Sequence, residues 1–390
     1  MMVTLPELCT IQYGYAFDSA DFTEDESYPP IVRIRDVKRG YSETYFSGKY
    51  PEEYILHSGD LLIGMDGEFN IARWKSRDAL LNQRVCRVSA KAGTDEEWLR
   101  FALSKALKSI EDRTSFVTVK HLSAKELNKL ELNTPDFRTQ TEIAHTLSSI
   151  EKIIELRETQ LTILDDLIKA RFVEMFGDPI SNPMKWDYYQ LGDCLERIDN
   201  GRSFVCADKP RKGINPAVLK LSAATYGDYR PNENKALLDE SLFVESAEVH
   251  SGDLLFTRKN TPELVGMAAY VHETPPNLMM PDLIFRLVPN ERMRAVFLWQ
   301  LINCKEFRPV IQAISGGSAK SMSNISKERL GKIMVICPPK ERQDAIIPFI
   351  QQINKSKDAV KKSLEETQFL FDSLMQKYFG QGGEQYGERK

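Results

Sequence analysis

Apolar residues along one stretch of the chain fall at Ile143, Leu147, Ile150, Ile154, Leu161, Leu164, Ile168 and Met175, mostly in alternating steps of four and three. The rhythm returns at Ile346, Ile350, Ile353, Val360, Leu364, Phe371, Leu374 and Tyr378. Such steps draw one apolar seam along a helix, and two such helices bury their seams against each other as a coiled coil. Arg157 and Arg171 interrupt the first seam, Lys357 and Thr367 the second. Thr139, with Glu142 three residues on, is expected to open the first helix, and Gly177-Asp178-Pro179 to close it. Pro348 is tolerated only in a first turn, so the second helix is expected to start later than its counterpart. At 1.5 Å per residue the first seam is roughly 50 Å long.

The remainder is a two-fold repeat. HSGDLL stands at 57–62 and again at 250–255, and Gly14-x-x-Phe17 matches Gly201-x-x-Phe204. Residues 122–150 align with 325–353 at a constant shift of 203, equating Pro135 with Pro338 and Gln140 with Gln343. Earlier matches sit at shifts of 187 and 193, so the second half has gained loop residues. Each half is α+β. Strands are expected near Ile31–Ile34, Asp60–Ile63 and Val85–Val88, then a helix near Glu96–Lys108; Ser123 with Glu126 forms a capping box. The second half repeats this near Val218–Leu221, Asp253–Phe256, Leu283–Val288 and Met293–Lys305. The repeated Gly59-Asp60 and Gly252-Asp253 read as turn chemistry.

Connectivity orients the helices. The second mixed domain leaves the end of the first helix and enters the start of the second. Domain termini usually lie close together, so the helices are expected to run antiparallel, with the mixed domains at opposite ends. The expected bodies are 1–137, a spacer helix 138–178, a second domain 179–337, a spacer helix 338–379 and a mobile tail 380–390. Centring the seams puts Arg157 near Leu364 and Glu365, and Lys357 near Leu164 and Asp165, so each seam cation is expected to reach an acid on the other helix.

Composition narrows the class. Of 390 residues, 42% are hydrophobic and 28% charged, as in ordinary globular protein, and no apolar run nears the ~18 residues of a membrane span. The N-terminus carries neither the basic nor the apolar segment of a secretory signal. Six scattered cysteines with no metal-binding spacing read as reduced thiols in a cytoplasmic protein. The net charge of −4 denies the chain a global basic field, so any nucleic-acid site must be local.

Together the two Ser-Gly-Asp-Leu-Leu strands, LNQRV at 81–85, the Pro135…Gln140-x-x-Ile143 and Pro338…Gln343-x-x-Ile346 segments, and the heptad runs closing at Phe176-Gly177-Asp178 and Phe379-Gly380 resemble the specificity subunits of type I restriction–modification systems over essentially the whole chain. One departure is Gly316-Gly317, where the first half has Thr114-Ser115. The resemblance implies two target-recognition domains on an antiparallel two-helix coiled coil, reading double-stranded DNA. It also implies a platform for two modification (methyltransferase) subunits, which would bring S-adenosylmethionine, and for restriction (motor-nuclease) subunits, which would bring ATP and Mg. A roughly 50 Å spacer sets half-site centres about 10–15 bp apart, and diverged loops make the target asymmetric.

No catalytic site is expected on this chain. It lacks GxxxxGK[ST], the Asn-Pro-Pro-aromatic motif and a metal-nuclease acid set; its five histidines show no metal spacing. Candidate DNA contacts in the first half are Arg33, Arg35, Lys38 and Arg39, taken as a cluster leaving a strand. To these are added Glu68, Asn70 and Arg73 after the GDLL strand, and Gln83, Arg84, Thr118 and Lys120. In the second half they are Arg258, Lys259 and Asn260 in the equivalent loop, Gly316, Gly317, Ser318, Lys320 and Ser321 in a phosphate-gripping loop, and Arg202, Lys220, Thr225 and Tyr226. Arg, Gln and Asn suit base edges; Lys and hydroxyls suit phosphates. A spacer or adaptor whose paired domains bind proteins is the alternative.

Overall fold

A computed structural model describes residues 1–113, 121–316 and 322–380. The chain forms two compact units, one of residues 1–159 with the chain from 361 on, the other of residues 160–360. Each has the same central sheet. In the first, β1 (Cys9–Tyr13), β2 (Leu61–Gly64), β3 (Ile71–Arg73) and β4 (Val85–Ala90) lie in the order β1-β4-β2-β3, all antiparallel. In the second, β5 (Leu195–Asn200), β6 (Leu254–Thr257), β7 (Ala268–Tyr270) and β8 (Ile284–Pro289) lie in the order β5-β8-β6-β7. A parallel pair joins Ile31–Val32 to Ala79–Leu81 in one unit and Ala217–Leu219 to Leu278–Met279 in the other. The second unit's extra loop residues add a strand, Asn234–Ala236, on the outer side of that pair.

The repeated hexapeptide has a structural cause. The Asp60 and Asp253 carboxylates accept the His57 and His250 N–H at 2.9 and 2.8 Å, closing a turn whose glycines sit at φ +98° and +94°. Each aspartate then takes an arginine from the neighbouring strand, Arg87 or Arg286, at 3.0 Å. Burial pushes the Asp253 carboxyl up, against the pull of the His250 N–H and the Arg286 charge. The repeated glutamines are buried latches. Gln140 accepts Asp95 N–H and donates to Pro135 O; Gln343 accepts Arg294 N–H and donates to Pro338 O and Arg292 O. Each thereby ties the start of a domain helix to the chain entering a long helix.

Helices α1 (Ile34–Arg39), α2 (Glu96–Arg113) and α3 (Ala124–Asn128) belong to the first unit; α5 (Ala295–Asn303) and α6 (Lys327–Gly331) to the second; the long α4 (Phe137–Phe176) and α7 (Ile347–Phe379) to both. In the second unit Lys357 Nζ meets Asp165 and Arg171 stacks over Phe349 at 5.8 Å, so α4 and α7 run antiparallel there. Lys357 thus finds its expected acid. Arg157 does not: among the described residues it makes no ion pair, and Glu158, not Arg157, lines a groove with Leu364 and Glu365 in the first unit.

The seam residues are buried or half-buried, and the buried positions outside the seam include Phe172 and Phe176. With 3.6 residues per turn the apolar stripe drifts off a strict 3.5 repeat, and these rings land on Phe297 of α5 at 5.5 and 4.8 Å. In the first unit Phe371 and Phe379 of α7 meet Phe101 and Trp98 of α2 in the same way.

Five local expectations change. The strand at Ile31–Ile34 stops at Val32, because Asp36 accepts the Arg33 N–H at 2.9 Å and starts α1, which Gly40 ends at φ +76°. Its counterpart stops at Leu219 and turns into a 3-10 segment, Leu221–Ala223. The cap of α4 is Asp136 rather than Thr139: its carboxylate takes the Thr139 N–H and hydroxyl at 3.0 and 2.9 Å, and the helix begins at Phe137. Helix α2 runs to Arg113 and α5 spans only Ala295–Asn303. Pro348 lies in the first turn of α7, Ser123 caps α3, and Gly177 at φ +75° follows the end of α4, all as expected.

Candidate nucleic-acid interface

Each unit builds a junction of three crossing segments from the same backbone bonds. In the first, the chain after β1 crosses the turn before β4: Tyr15 N donates to Leu81 O and Gln83 N to Tyr15 O, both at 2.9 Å. The crossing is so close that a Cβ on Gly14 would lie 2.0 Å from Asn82 O. In the second, Arg202 N donates to Met280 O, and a Cβ on Gly201 would lie 2.0 Å from Pro281 O. The third segment follows the GDLL strand. Met65 N donates to Arg84 O and Leu122 N to Met65 O, at 2.9 and 2.7 Å; the counterparts are Arg258 N to Leu283 O and Ile325 N to Arg258 O, at 3.0 and 2.8 Å.

Different side chains stand on these matched backbones. In the first unit Asp66, largely buried, takes Arg84 Nη1 at 2.8 Å and His121 Nδ1 at 2.5 Å. Arg84 and His121 remain more than half exposed at 55% and 54%, held by one carboxylate and facing solvent. Gln83 and Glu68 are exposed beside them, Asn70 is half-buried and Tyr15 is exposed. Helix α1 is seated against the same strand, with Ile34 on Gly64, and Arg33, Arg35, Lys38 and Arg39 are exposed along it. The basic cluster thus rides on a helix rather than leaving a strand.

In the second unit Lys259 occupies the position of Asp66 and Asn324 that of His121. Arg258 directs Nε and Nη2 to Asn324 Oδ1 at 3.4 and 3.3 Å and lies 4.9 Å over the Phe285 ring. Gly316 pairs with Asn324 through both backbone bonds, and the Arg329 guanidinium fills the space a Cβ there would need. Arg202 is exposed next to Pro281. This junction is cationic where the first is mixed.

Residues 1–164 match the family model described as the type I restriction modification DNA specificity domain. The EcoBI specificity subunit of Escherichia coli is 25% identical over 96% of this chain and 84% of its own length; the EcoEI specificity subunit is 29% identical over 57% of this chain and 38% of its own. Among solved structures, the type I restriction–modification S subunit from M. genitalium shares the fold over 97% of this chain and 96% of its own, with a TM-score of 0.55 at 15% identity. A chain from a study of complex assembly in a type I R-M system matches 98% of each at a TM-score of 0.51 and 16% identity. All of these relatives belong to type I restriction–modification systems.

Several residues expected at the DNA surface are occupied elsewhere. Arg73 gives its donors to Gly59 O at 2.7 Å, Glu96 at 2.8 Å and Glu97 at 2.5 Å, so it fastens β3 to α2. Asn260 and Thr225 are buried and bonded to each other at 3.2 Å. Lys220 pairs with Glu233 at 3.5 Å, and Tyr226 is covered on one face by Arg230 at 4.7 Å. Thr118, Lys120, Gly317, Ser318, Lys320 and Ser321, with the tail 381–390, lie outside the described residues.

The junction also contains residues that reading the sequence missed: Tyr15, Asp66, His121, Asn324 and Arg329. A signal existed. Asp66 against Lys259 and His121 against Asn324 are columns where the repeat keeps its register and changes its chemistry. Among the described residues no group of acids, histidines and cysteines is arranged to hold a metal ion, and no helix is long and apolar enough to cross a membrane.

Proposed function

We propose that this chain is a type I specificity subunit, a non-catalytic reader of an asymmetric, bipartite DNA target, each unit reading one half-site through its junction. The observation that carries the reading is the pair of matched backbones bearing Arg84, His121 and Gln83 on one side and Arg202, Arg258, Lys259 and Asn324 on the other. Arginine and asparagine match base edges, and the exposed cations of α1 match phosphates. Its partners are double-stranded DNA and two modification subunits, with restriction subunits joining for cleavage. S-adenosylmethionine, ATP and Mg act on those partners, none on this chain, and the assembly works in the cytoplasm. With a net charge of −4, much of the basic surface must come from the modification subunits. The adaptor alternative has no account of two closely crossed junctions topped by arginine.

Base-resolution methylation sequencing of a methylation-free host tests this, with the chain co-expressed with its cognate methyltransferase. The expected result is one asymmetric motif with an unread gap, absent when this chain is omitted. Exchange of residues 1–137 for another recognition domain should change one half-site only. If a soluble, associated complex gives no motif, the reading fails.

A further inference from the structure

A largely buried carboxylate gripping two exposed side chains makes the first junction more selective than a patch of cations. Asp66 takes Arg84 Nη1 on Oδ2 at 2.8 Å and His121 Nδ1 on Oδ1 at 2.5 Å, so both of its oxygens are engaged. The backbone fixes the same three residues. Asp66 and His121 form a β-bridge, and Met65 N, next to Asp66, donates to Arg84 O at 2.9 Å. A carboxylate can only accept, so Nδ1 of His121 carries a proton and the neutral ring keeps Nε2 as a bare acceptor. Arg84 spends Nη1 on Asp66 and keeps a two-donor edge for another partner. Held on one carboxylate, the pair presents two donors and one acceptor to solvent.

Resting on the reading that this junction faces DNA, we propose that Arg84 and His121 read a single G·C pair from the major groove. Arg84 meets guanine N7 and O6, His121 Nε2 takes a proton of the cytosine N4 amino group, and Asp66 is the positioning residue. Across the major groove a G·C pair shows acceptor, acceptor, donor, the complement of what Arg84 and His121 hold out. An A·T pair shows acceptor, donor, acceptor there. In the minor groove the guanine N2 donor lies between two acceptors, and an A·T pair has no donor at all. Only the major-groove face of G·C matches.

The second unit does not repeat the device. Leu283, Lys259 and Asn324 stand where the first unit has Arg84, Asp66 and His121, and Asn324 Oδ1 is already given to Arg258. The G·C requirement therefore belongs to the first half-site alone.

The test starts from the methylated motif, its first half-site identified by exchange of residues 1–137. Binding isotherms of the assembled methyltransferase are then measured on duplexes altered at one G·C pair of that half-site. Replacing the guanine by 7-deazaguanine, which lacks the N7 acceptor, should weaken binding by about tenfold in the natural complex and leave Arg84→Ala unaffected. Replacing the cytosine by pyrimidin-2-one, which lacks the N4 amino group, should weaken it by about threefold and leave His121→Ala unaffected. Inosine in place of guanine removes only the minor-groove amino group and should change nothing. Unchanged reading of the second half-site shows that both variants fold. A motif without a G·C pair in its first half-site would overturn this assignment while leaving the two-half-site reading intact. So would sensitivity to inosine, a pyrimidin-2-one effect that persists in His121→Ala, or an Arg84→Ala loss that is uniform across sequences. The absence of any motif would instead defeat the DNA-reading claim itself.

Discussion

The two junctions are the same piece of backbone carrying different chemistry. Gly14 and Gly201 cross a carbonyl with no room for a Cβ, and Met65 and Arg258 make the same two main-chain bonds. On that frame Asp66 holds Arg84 and His121 in the first unit, whereas Lys259, Arg258 and Asn324 occupy the second. Main-chain bonds are indifferent to side-chain identity, so the crossing survives while its exposed positions diverge. A reader built this way can change its half-site without rebuilding its core.

The sharpest way to break the comparison is to attack what the junctions share. Gly14→Ala drives a methyl into Asn82 O, and Gly201→Ala drives one into Pro281 O. Neither carbonyl can retreat, since each sits in a turn pinned by several main-chain bonds. Each substitution should cost about 3 kcal/mol or more in denaturant unfolding. In the methylation assay each should erase recognition of its own half-site. Equal loss of both half-sites from Gly14→Ala would mean that the units do not read independently.

The glutamine latches come next. Gln140→Leu leaves Asp95 N–H and Pro135 O without their partner in a buried setting, and Gln343→Leu does the same to Arg294 N–H, Pro338 O and Arg292 O. Orphaned buried groups of this kind cost about 1–3 kcal/mol each, partly relieved by water, so a loss of about 2–4 kcal/mol is expected for each variant. Calorimetry of both would show whether the latches are equivalent. A loss below about 1 kcal/mol would make them incidental.

These shared elements are also what the sequence displayed. Short-range constraints such as the His-x-x-Asp turn, the Pro…Gln latch and the heptad steps leave identities or periods behind, and the repeat registers them. Connectivity and the centred seams placed Lys357 beside Asp165. What stayed hidden depends on tertiary crossing. Arg73 reads as one more loop cation until Glu96 and Glu97 are seen across from it, and Asn260 as a polar tip until it proves buried on Thr225. Helix α1 escaped because six residues are too few to show a period, its start depending on one Asp36 hydrogen bond. Arg157 shows the limit of the seam argument, which fixes which faces meet but not the rotamers of long side chains.

Within the junctions, the differences can be tested one side chain at a time. Arg84→Ala removes a pre-held guanidinium and should cost about 1–3 kcal/mol of discrimination at a single base pair of the first half-site, leaving the second untouched. Asp66→Asn keeps the shape but withdraws the charge that holds Arg84 and His121. It should therefore relax the same base pair by a smaller amount. Relaxation at the other half-site would contradict the assignment of one junction to one half-site.

The smallest expected effect separates phosphate contacts from base contacts. Lys38 is exposed on α1 beside Arg35 and Arg39; Arg35 lies 3.6 Å from Asp36 and Arg39 4.0 Å from Glu43. A lysine on such a helix face meets the backbone as a point charge, so Lys38→Ala should weaken DNA binding by the assembled methyltransferase uniformly across sequences. The slope of log K against log salt should fall by about 1, the signature of one lost phosphate contact. A salt series of binding isotherms on matched and mismatched first half-sites measures both quantities. An unchanged slope would remove α1 from the DNA-facing surface, and a sequence-dependent loss would move Lys38 from phosphate to base. The first result would narrow first-half-site reading to Gln83, Arg84 and His121, the side chains whose positions the crossed backbone fixes, and the second would add Lys38 to them.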